Sequence, residues 1–253
     1  MTACKDAVIL AAGLGSRIRP AHPDAPKGFI EIGGQAIIRR SIQLLLESGV
    51  QRVVIVCGHL AEHYEQLSKE FPKIQTIRNE RYAESGSMHS LWCARGLVKG
   101  PFLLLESDLV YERRALVTLQ DLERDNAILL SGMTNSGDEV YVEVKDGRVC
   151  RMSKQAQELN SIGGELVGIS TIAEDEFEAM SRFSETWFRD KDLKLEYERC
   201  INGIIENGFP VYYEKLDDLI WAEIDDADHL TRVREKIFPA IAARDKRDNG
   251  DQA

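Results

Sequence analysis

Cysteine is sparse and scattered in this chain: Cys4, Cys57, Cys93, Cys150 and Cys200 form no CxxC pair and no Cys/His ligand spacing. An odd, dispersed set excludes a disulfide scaffold or a zinc ribbon and leaves reduced packing residues. No apolar run approaches the ~20 residues needed to cross a bilayer, so no membrane partner is expected. Basic charge is short as well. With 32 Lys and Arg against 42 Asp and Glu, the net charge is −10, whereas a nucleic-acid binder usually carries a basic face. That balance still admits one nucleotide, whose binding depends on local charge and a divalent ion. Met1-Thr2-Ala3-Cys4-Lys5-Asp6 passes straight into an apolar stretch without a leader pattern, which gives a cytoplasmic expectation. Repeats and low-complexity linkers are also missing. The 253 residues are ample for a sizeable core and are expected to fold as one cooperative unit.

What is present is an alternation of apolar strands and amphipathic helices. Strands are expected at 7–12, 52–57, 74–78, 102–106 and 127–131, with helices at 35–48, 60–71 and 112–124. Such alternation implies an α/β fold with a mostly parallel, mixed sheet flanked by helices, in which ligands collect beyond the carboxyl ends of the strands. After Gly132 the texture changes. Short alternating segments at 140–144, 148–152 and 165–171 surround the hairpin turn Asp146-Gly147. These are expected to form a second layer, a smaller β-rich lid over the nucleotide cleft. Helices at 174–183 and 192–207, strands at 211–214 and 220–224, and a last helix from Asp226 complete the pattern. Residues 244–253 are polar and expected to fray. The organisation is therefore one domain over 1–253, with a nucleotide part (1–132), an acceptor part (133–215) and a closing strand and helix (216–243).

The chain is organised around Val8-Ile9-Leu10-Ala11-Ala12-Gly13-Leu14-Gly15-Ser16-Arg17-Ile18-Arg19, followed by Pro26-Lys27-Gly28. A buried strand delivers a glycine turn whose bare backbone can approach a polyanion closely, and the following cations supply donors to phosphate oxygens. It is not a dinucleotide fingerprint, because Ile18 stands where the third glycine would pack. Nor is it a P-loop, since no Lys-Ser or Lys-Thr follows Gly15.

Leu10-Ala11-Ala12-Gly13-Leu14-Gly15-Ser16-Arg17 with Pro26-Lys27 resembles the nucleotidyltransferases that activate sugars and amino alcohols. Members join an NTP to a phosphate- or phosphonate-bearing acceptor and release pyrophosphate. Gly28 departs from the second proline common in sugar-activating members. The ending Trp221-Ala222-Glu223-Ile224-Asp225 and the stretch Glu106-Ser107-Asp108 resemble the branch acting on 2-aminoethylphosphonate or phosphocholine with CTP.

The resemblance implies roles for particular residues. Leu10, Ala12, Gly13 and Gly15 would hold the nucleotide, with Ser85-Gly86-Ser87 beside its base. Lys27 would neutralise the α-phosphate, and Arg17, with Arg19 as a further candidate, would meet the leaving pyrophosphate. Asp108 stands just past an apolar strand and would bind Mg²⁺, a hard cation that takes carboxylates together with substrate phosphates. Asp225 would complete that metal site. Glu223 points to the same side of its strand as Asp225, by the period-two rule. Asp226 reads as the N-cap of the last helix. His89 reads as a plain helix residue, since an ionised acceptor needs no general base.

The acceptor is a small phosphonate- or phosphate-bearing amino alcohol, expected to meet Glu196, Tyr197 and Trp221 through carboxylate and cation–π contacts, with Lys154 at its anionic end. A homodimer is compatible with this reading. The competing reading, a non-catalytic nucleotide-binding module, is opposed by the retention of Lys27, Asp108 and Asp225.

Overall fold

The computed structural model describes residues 4–250. Taken in order, the strands are β1 (Asp6–Ala11), β2 (Glu31–Ile32), β3 (Gln35–Ala36), β4 (Arg52–Cys57), β5 (Ile74–Arg78), β6 (Phe102–Glu106) and β7 (Leu109–Tyr111). They continue with β8 (Ala127–Ser131), β9 (Tyr141–Lys145), β10 (Arg148–Ser153), β11 (Gly164–Ile172), β12 (Tyr212–Leu216) and β13 (Trp221–Glu223). The helices are α1 (Ile37–Glu47), α2 (Ala61–Glu70), α3 (Ser87–Cys93), α4 (Arg114–Gln120), α5 (Glu174–Asp190), α6 (Tyr197–Glu206), α7 (Ala227–Arg232) and α8 (Phe238–Gly250).

Nine strands form one mixed sheet in the order β5-β4-β1-β6-β11-β8-β12-β10-β9. The ladders from β5 to β6 are parallel, and β11 then enters antiparallel between β6 and β8. Side chains alternate across β1 and β4. Ala7, Ile9, Val53 and Ile55 face a core shared with Ile38 and Ile42 of α1 and Leu116 of α4. Val8, Leu10, Val54 and Val56 face the opposite core, with Met88 of α3, Met180 of α5 and Ile201 of α6. Both faces are thus apolar, which is why these strands read as continuous hydrophobic runs. A third, smaller cluster joins Ile18 and Ile30 to Val110, Ile224 and Leu230, anchoring the glycine loop to the C-terminal elements. Ile18 is 2% exposed.

The expected second layer is not a layer. Strands β9, β10 and β11 belong to the same sheet, and β11 also pairs with β9, so β11, β8, β12, β10 and β9 close into a ring. The closure rests on a bend in β11, where the register shifts between Leu166 and Ser170 and Gly168 adopts φ +77°. A bulge of this kind lets one strand serve two directions. The Asp146-Gly147 turn is present, with both residues at positive φ (50° and 74°), as a two-residue hairpin requires.

Boundaries also differ. The helix expected over 192–207 begins only at Tyr197, and 193–195 form an extended strap whose carbonyls accept from Gly86 and Met88. The helix expected over 174–183 runs to Asp190, and that expected over 112–124 is confined to Arg114–Gln120. Residues 35–36, expected within a helix, pair instead with Glu31–Ile32. Residues 244–250, expected to fray, continue α8; 251–253 lie outside the described residues.

Candidate active site

The glycine loop leaves β1 at the carboxyl edge of the parallel strands. Gly15 turns at φ +58°, a conformation in which a Cβ is strained, and its carbonyl accepts from the amides of Ile18 (3.2 Å) and Arg19 (2.9 Å). Arg19 folds back and donates to the Leu14 carbonyl at 2.7 Å, so it braces the loop. Arg17 stays exposed and meets Asp225 Oδ2 at 2.8 Å.

Strand β6 ends at Glu106, and the Ser107 amide bonds to the Leu10 carbonyl at 3.0 Å, which sets Asp108 beside the loop. Antiparallel pairing of β7 with β13 then brings the last acidic pair alongside, with the Ile224 amide on the Asp108 carbonyl at 3.2 Å. Two Glu-x-Asp segments, 106–108 and 223–225, are thereby laid tip to tip. Lys27 closes the arrangement. Its ammonium donates to Asp108 Oδ2 at 2.9 Å and also bonds Asp225 Oδ1.

Burial works against the Lys27 charge, but Asp108 and Asp225 outweigh it and hold its pKa above the ordinary lysine value. Burial would raise Asp225, yet Lys27 pulls it down to about 2. The neighbouring glutamates respond oppositely. Burial, reinforced by the charges of Asp108 and then Glu106, pushes Glu223 up to about 10. Burial, with Asp108 and Glu198 adding to it, pushes Glu106 up to about 8. One carboxylate oxygen each of Glu106, Asp108 and Glu223 lies within 4.8 Å of the others. Clustered hard oxygens that take up protons to relieve repulsion are a donor set suited to a divalent cation. Asp225 groups separately with Asp138 and His229 in the same sense.

Two cavities meet here. The first, about 310 Å³, is lined by Leu10, Ala12, Gly13, Gly15, Arg17, Lys27, Ser85, Gly86, Ser87, Asp108 and Asp225. The structure therefore brings every nucleotide, metal and Lys27 candidate to one cleft. The second, about 640 Å³, is lined by Lys154, Glu196, Tyr197 and Trp221, together with Glu106, Glu198 and Glu223. Ser87, Glu106 and Glu196 border both.

Within the second cavity the candidates are occupied unequally. Glu196 Oε2 accepts from the amide (2.9 Å) and hydroxyl (2.6 Å) of Ser87 at the start of α3, which ties it to the turn lining the first cavity. Gly86 is pressed against the strap, where a Cβ would fall 2.4 Å from the Leu195 carbonyl oxygen. The Tyr197 hydroxyl donates to Glu106 Oε1 at 2.9 Å. Trp221 is buried and donates its indole N–H to Ser131 Oγ at 2.8 Å. Asp226 caps α7 by accepting from the His229 amide at 2.8 Å. His89 is buried, with Nδ1 3.1 Å from Asn79 Oδ1; burial lowers its pKa.

Glu106 was missed by sequence reasoning, as was the part Glu223 takes in the cluster. A signal existed for both: each stands two residues before an aspartate already singled out, at the spacing that shares one strand face.

A glycine-turn cleft with a lysine bridging two strand-end aspartates, on a mixed sheet of this kind, has the donors to hold a nucleoside triphosphate. The sequence agrees. Residues 7–127, just under half of the chain, match the MobA-like NTP transferase domain. It is 25% identical over 186 residues to a 2-aminoethylphosphonate cytidylyltransferase from Lancefieldella rimae, covering 73% of this chain and 74% of the relative. It is 24% identical to a choline-phosphate cytidylyltransferase from Haemophilus influenzae, covering 92% of this chain and 98% of that one. Its fold resembles the inositol-1-phosphate CTP transferase from T. maritima, with a TM-score of 0.82, 19% identity and coverage of 95% and 96%. The chain spans about half the length of two further curated relatives, both bifunctional proteins.

Proposed function

We propose that this chain is a CTP-dependent cytidylyltransferase that transfers CMP to 2-aminoethylphosphonate and releases pyrophosphate. One observation carries the chemistry: the Lys27 ammonium bonded to both Asp108 and Asp225 inside the cavity that the glycine loop closes. The choice of CTP is supported by the names of the relatives.

In this reading an oxygen of the acceptor phosphonate, already ionised at neutral pH, attacks the α-phosphorus of CTP. An O–P bond forms opposite the bridging oxygen, the bond to that oxygen breaks, and pyrophosphate leaves with the electron pair. No side chain needs to take a proton, which fits a neutral, buried His89. Lys27 holds positive charge beside the α-phosphate, and Arg17 stands at the exposed rim where the pyrophosphate departs. The glycine loop and Ser85–Ser87 fix the two ends of the nucleotide. Positioning and charge stabilisation supply most of the rate, as in other phosphoryl-type transfers. Asp108 and Asp225, with Glu106 and Glu223 beside them, would hold Mg²⁺. When bound, it would supply charge neutralisation of the triphosphate.

The acceptor cavity favours an ammonium. Glu106, Glu198 and Glu223 line it, and burial also pushes Glu198 up to about 7. Carboxyl groups outnumber aromatic faces there, which suits a primary amine that donates hydrogen bonds over a quaternary one. Phosphocholine is the second reading, carried by Trp221 on the same wall. Pyrophosphate release measured with each NTP against 2-aminoethylphosphonate, phosphocholine and a hexose 1-phosphate tests the proposal. Greatest kcat/KM with CTP and the aminophosphonate is expected. Preference for the hexose phosphate over both amines would defeat it.

A further inference from the structure

Asn79 lies one residue past β5 and is 1% exposed. Its backbone amide hangs from the Cys57 carbonyl of the neighbouring strand at 2.9 Å, so the side chain has a fixed origin. Every hydrogen-bonding position of that side chain is used. Its amide nitrogen donates to Ser85 Oγ (2.9 Å) and Ser90 Oγ (3.0 Å). Its oxygen accepts from the Arg81 amide (3.0 Å) and lies 3.1 Å from His89 Nδ1. The Arg81 N–H can only donate, which fixes the Asn79 oxygen on the side shared with the imidazole, so His89 Nδ1 is a donor to it.

One buried amide therefore joins the end of a sheet strand to both sides of the turn that runs into α3. Ser85 and Ser90 line the first cavity, and Asn79 does not. A carboxylate would place an uncompensated charge at this buried position, and an apolar side chain would leave His89 and the Arg81 amide without an acceptor.

We infer that Asn79 is a positioning residue that fixes the 85–90 turn against the nucleotide base and so sets selectivity among NTPs, without touching the nucleotide itself. This rests on the assignment of that turn to the base under the proposed function. The geometry separates it from the chemistry: Asp108 stands between β6 and β7, Asp225 follows β13, and Lys27 begins a short turn after Pro26, and none of these segments bonds to Asn79.

The test is steady-state kinetics of Asn79→Ala against wild type, with CTP, UTP and acceptor each varied, alongside amide hydrogen exchange of residues 82–90. The expected result is an approximately tenfold higher KM for CTP, the size of one or two lost hydrogen bonds. Selectivity for CTP over UTP should narrow, and exchange should quicken in 82–90. Acceptor KM and kcat should stay within about twofold. An unchanged CTP KM, or equal losses in both KM values and in kcat, would overturn the inference.

Should Asn79→Ala fail to fold, Ser90→Ala removes one of the two donations and is expected to raise the CTP KM by a few fold. No rise there overturns it as well. Wild-type selectivity is measured first. If wild type prefers another NTP, the CTP assignment falls alone, and the Asn79 effect is read on the preferred nucleotide.

Discussion

Glu176 offers a sharp test of how this protein handles buried carboxyls away from the cleft. It sits in the first turn of α5, 1% exposed. Oε2 accepts from the Ala173 amide at 3.4 Å, and Oε1 has no partner. Burial pushes its pKa up to about 8 from the ordinary glutamate value of 4.5. The folded protein therefore binds a proton that the unfolded chain releases between about pH 4.5 and 8, and stability falls as pH rises through that window. Applying the linkage relation to those two values gives a loss of about 2–3 kcal/mol between pH 5 and 7. For a chain of this size that corresponds to roughly 5–10 °C in Tm.

Glu176→Gln keeps the shape and an acceptor for the Ala173 N–H and removes the titration. Thermal melts at pH 5, 6, 7 and 8 should show wild type losing stability faster than the variant, with the gap opening by about 2–3 kcal/mol from pH 5 to 7. Glu106, Glu198 and Glu223 titrate in both proteins, so the difference between the two curves isolates position 176. Parallel curves would refute the reasoning.

At the cleft, Lys27→Met should lower kcat by about 10²-fold or more, because it removes a preorganised charge where negative charge develops; single-turnover kinetics well below Tm check it. Asp225→Asn should cost a similar factor while its far-ultraviolet circular dichroism matches wild type, and a loss under fivefold would dismiss the residue. Glu198→Leu should raise KM for the aminophosphonate about tenfold or more, the scale of a hydrogen bond to a charged group, and should leave KM for CTP alone, since Glu198 lines only the second cavity. Gly86→Ala should weaken nucleotide binding measured by calorimetry, since the new methyl meets the Leu195 carbonyl.

The nucleotide half of the fold was legible because its signals are local. A buried strand ending in Gly13-Leu14-Gly15, and apolar runs at 52–57 and 102–106, need only period and turn chemistry to be read. The acceptor half depends on long-range pairing. Nothing in 141–145 or 148–153 announces that these strands join the main sheet through β12, or that β11 bends at Gly168 to reach both β6 and β9. Likewise 192–196 reads as helix, and only docking on Gly86 and Met88 pulls it straight. Asp108 and Asp225 were legible as strand-end acids. Their meeting on one lysine was not, because the β7–β13 pairing that aligns them spans more than a hundred residues.

The strap at 193–197 has a consequence for how such an enzyme diversifies. Its carbonyls and the Glu196 carboxylate anchor the turn beside the first cavity, while Tyr197, the next residue, forms part of the second. Swapping residues in this stretch to admit a new acceptor would disturb nucleotide recognition at the same stroke. Lys154, which lines only the second cavity, carries no such double duty, and changes of acceptor are expected to accumulate around it.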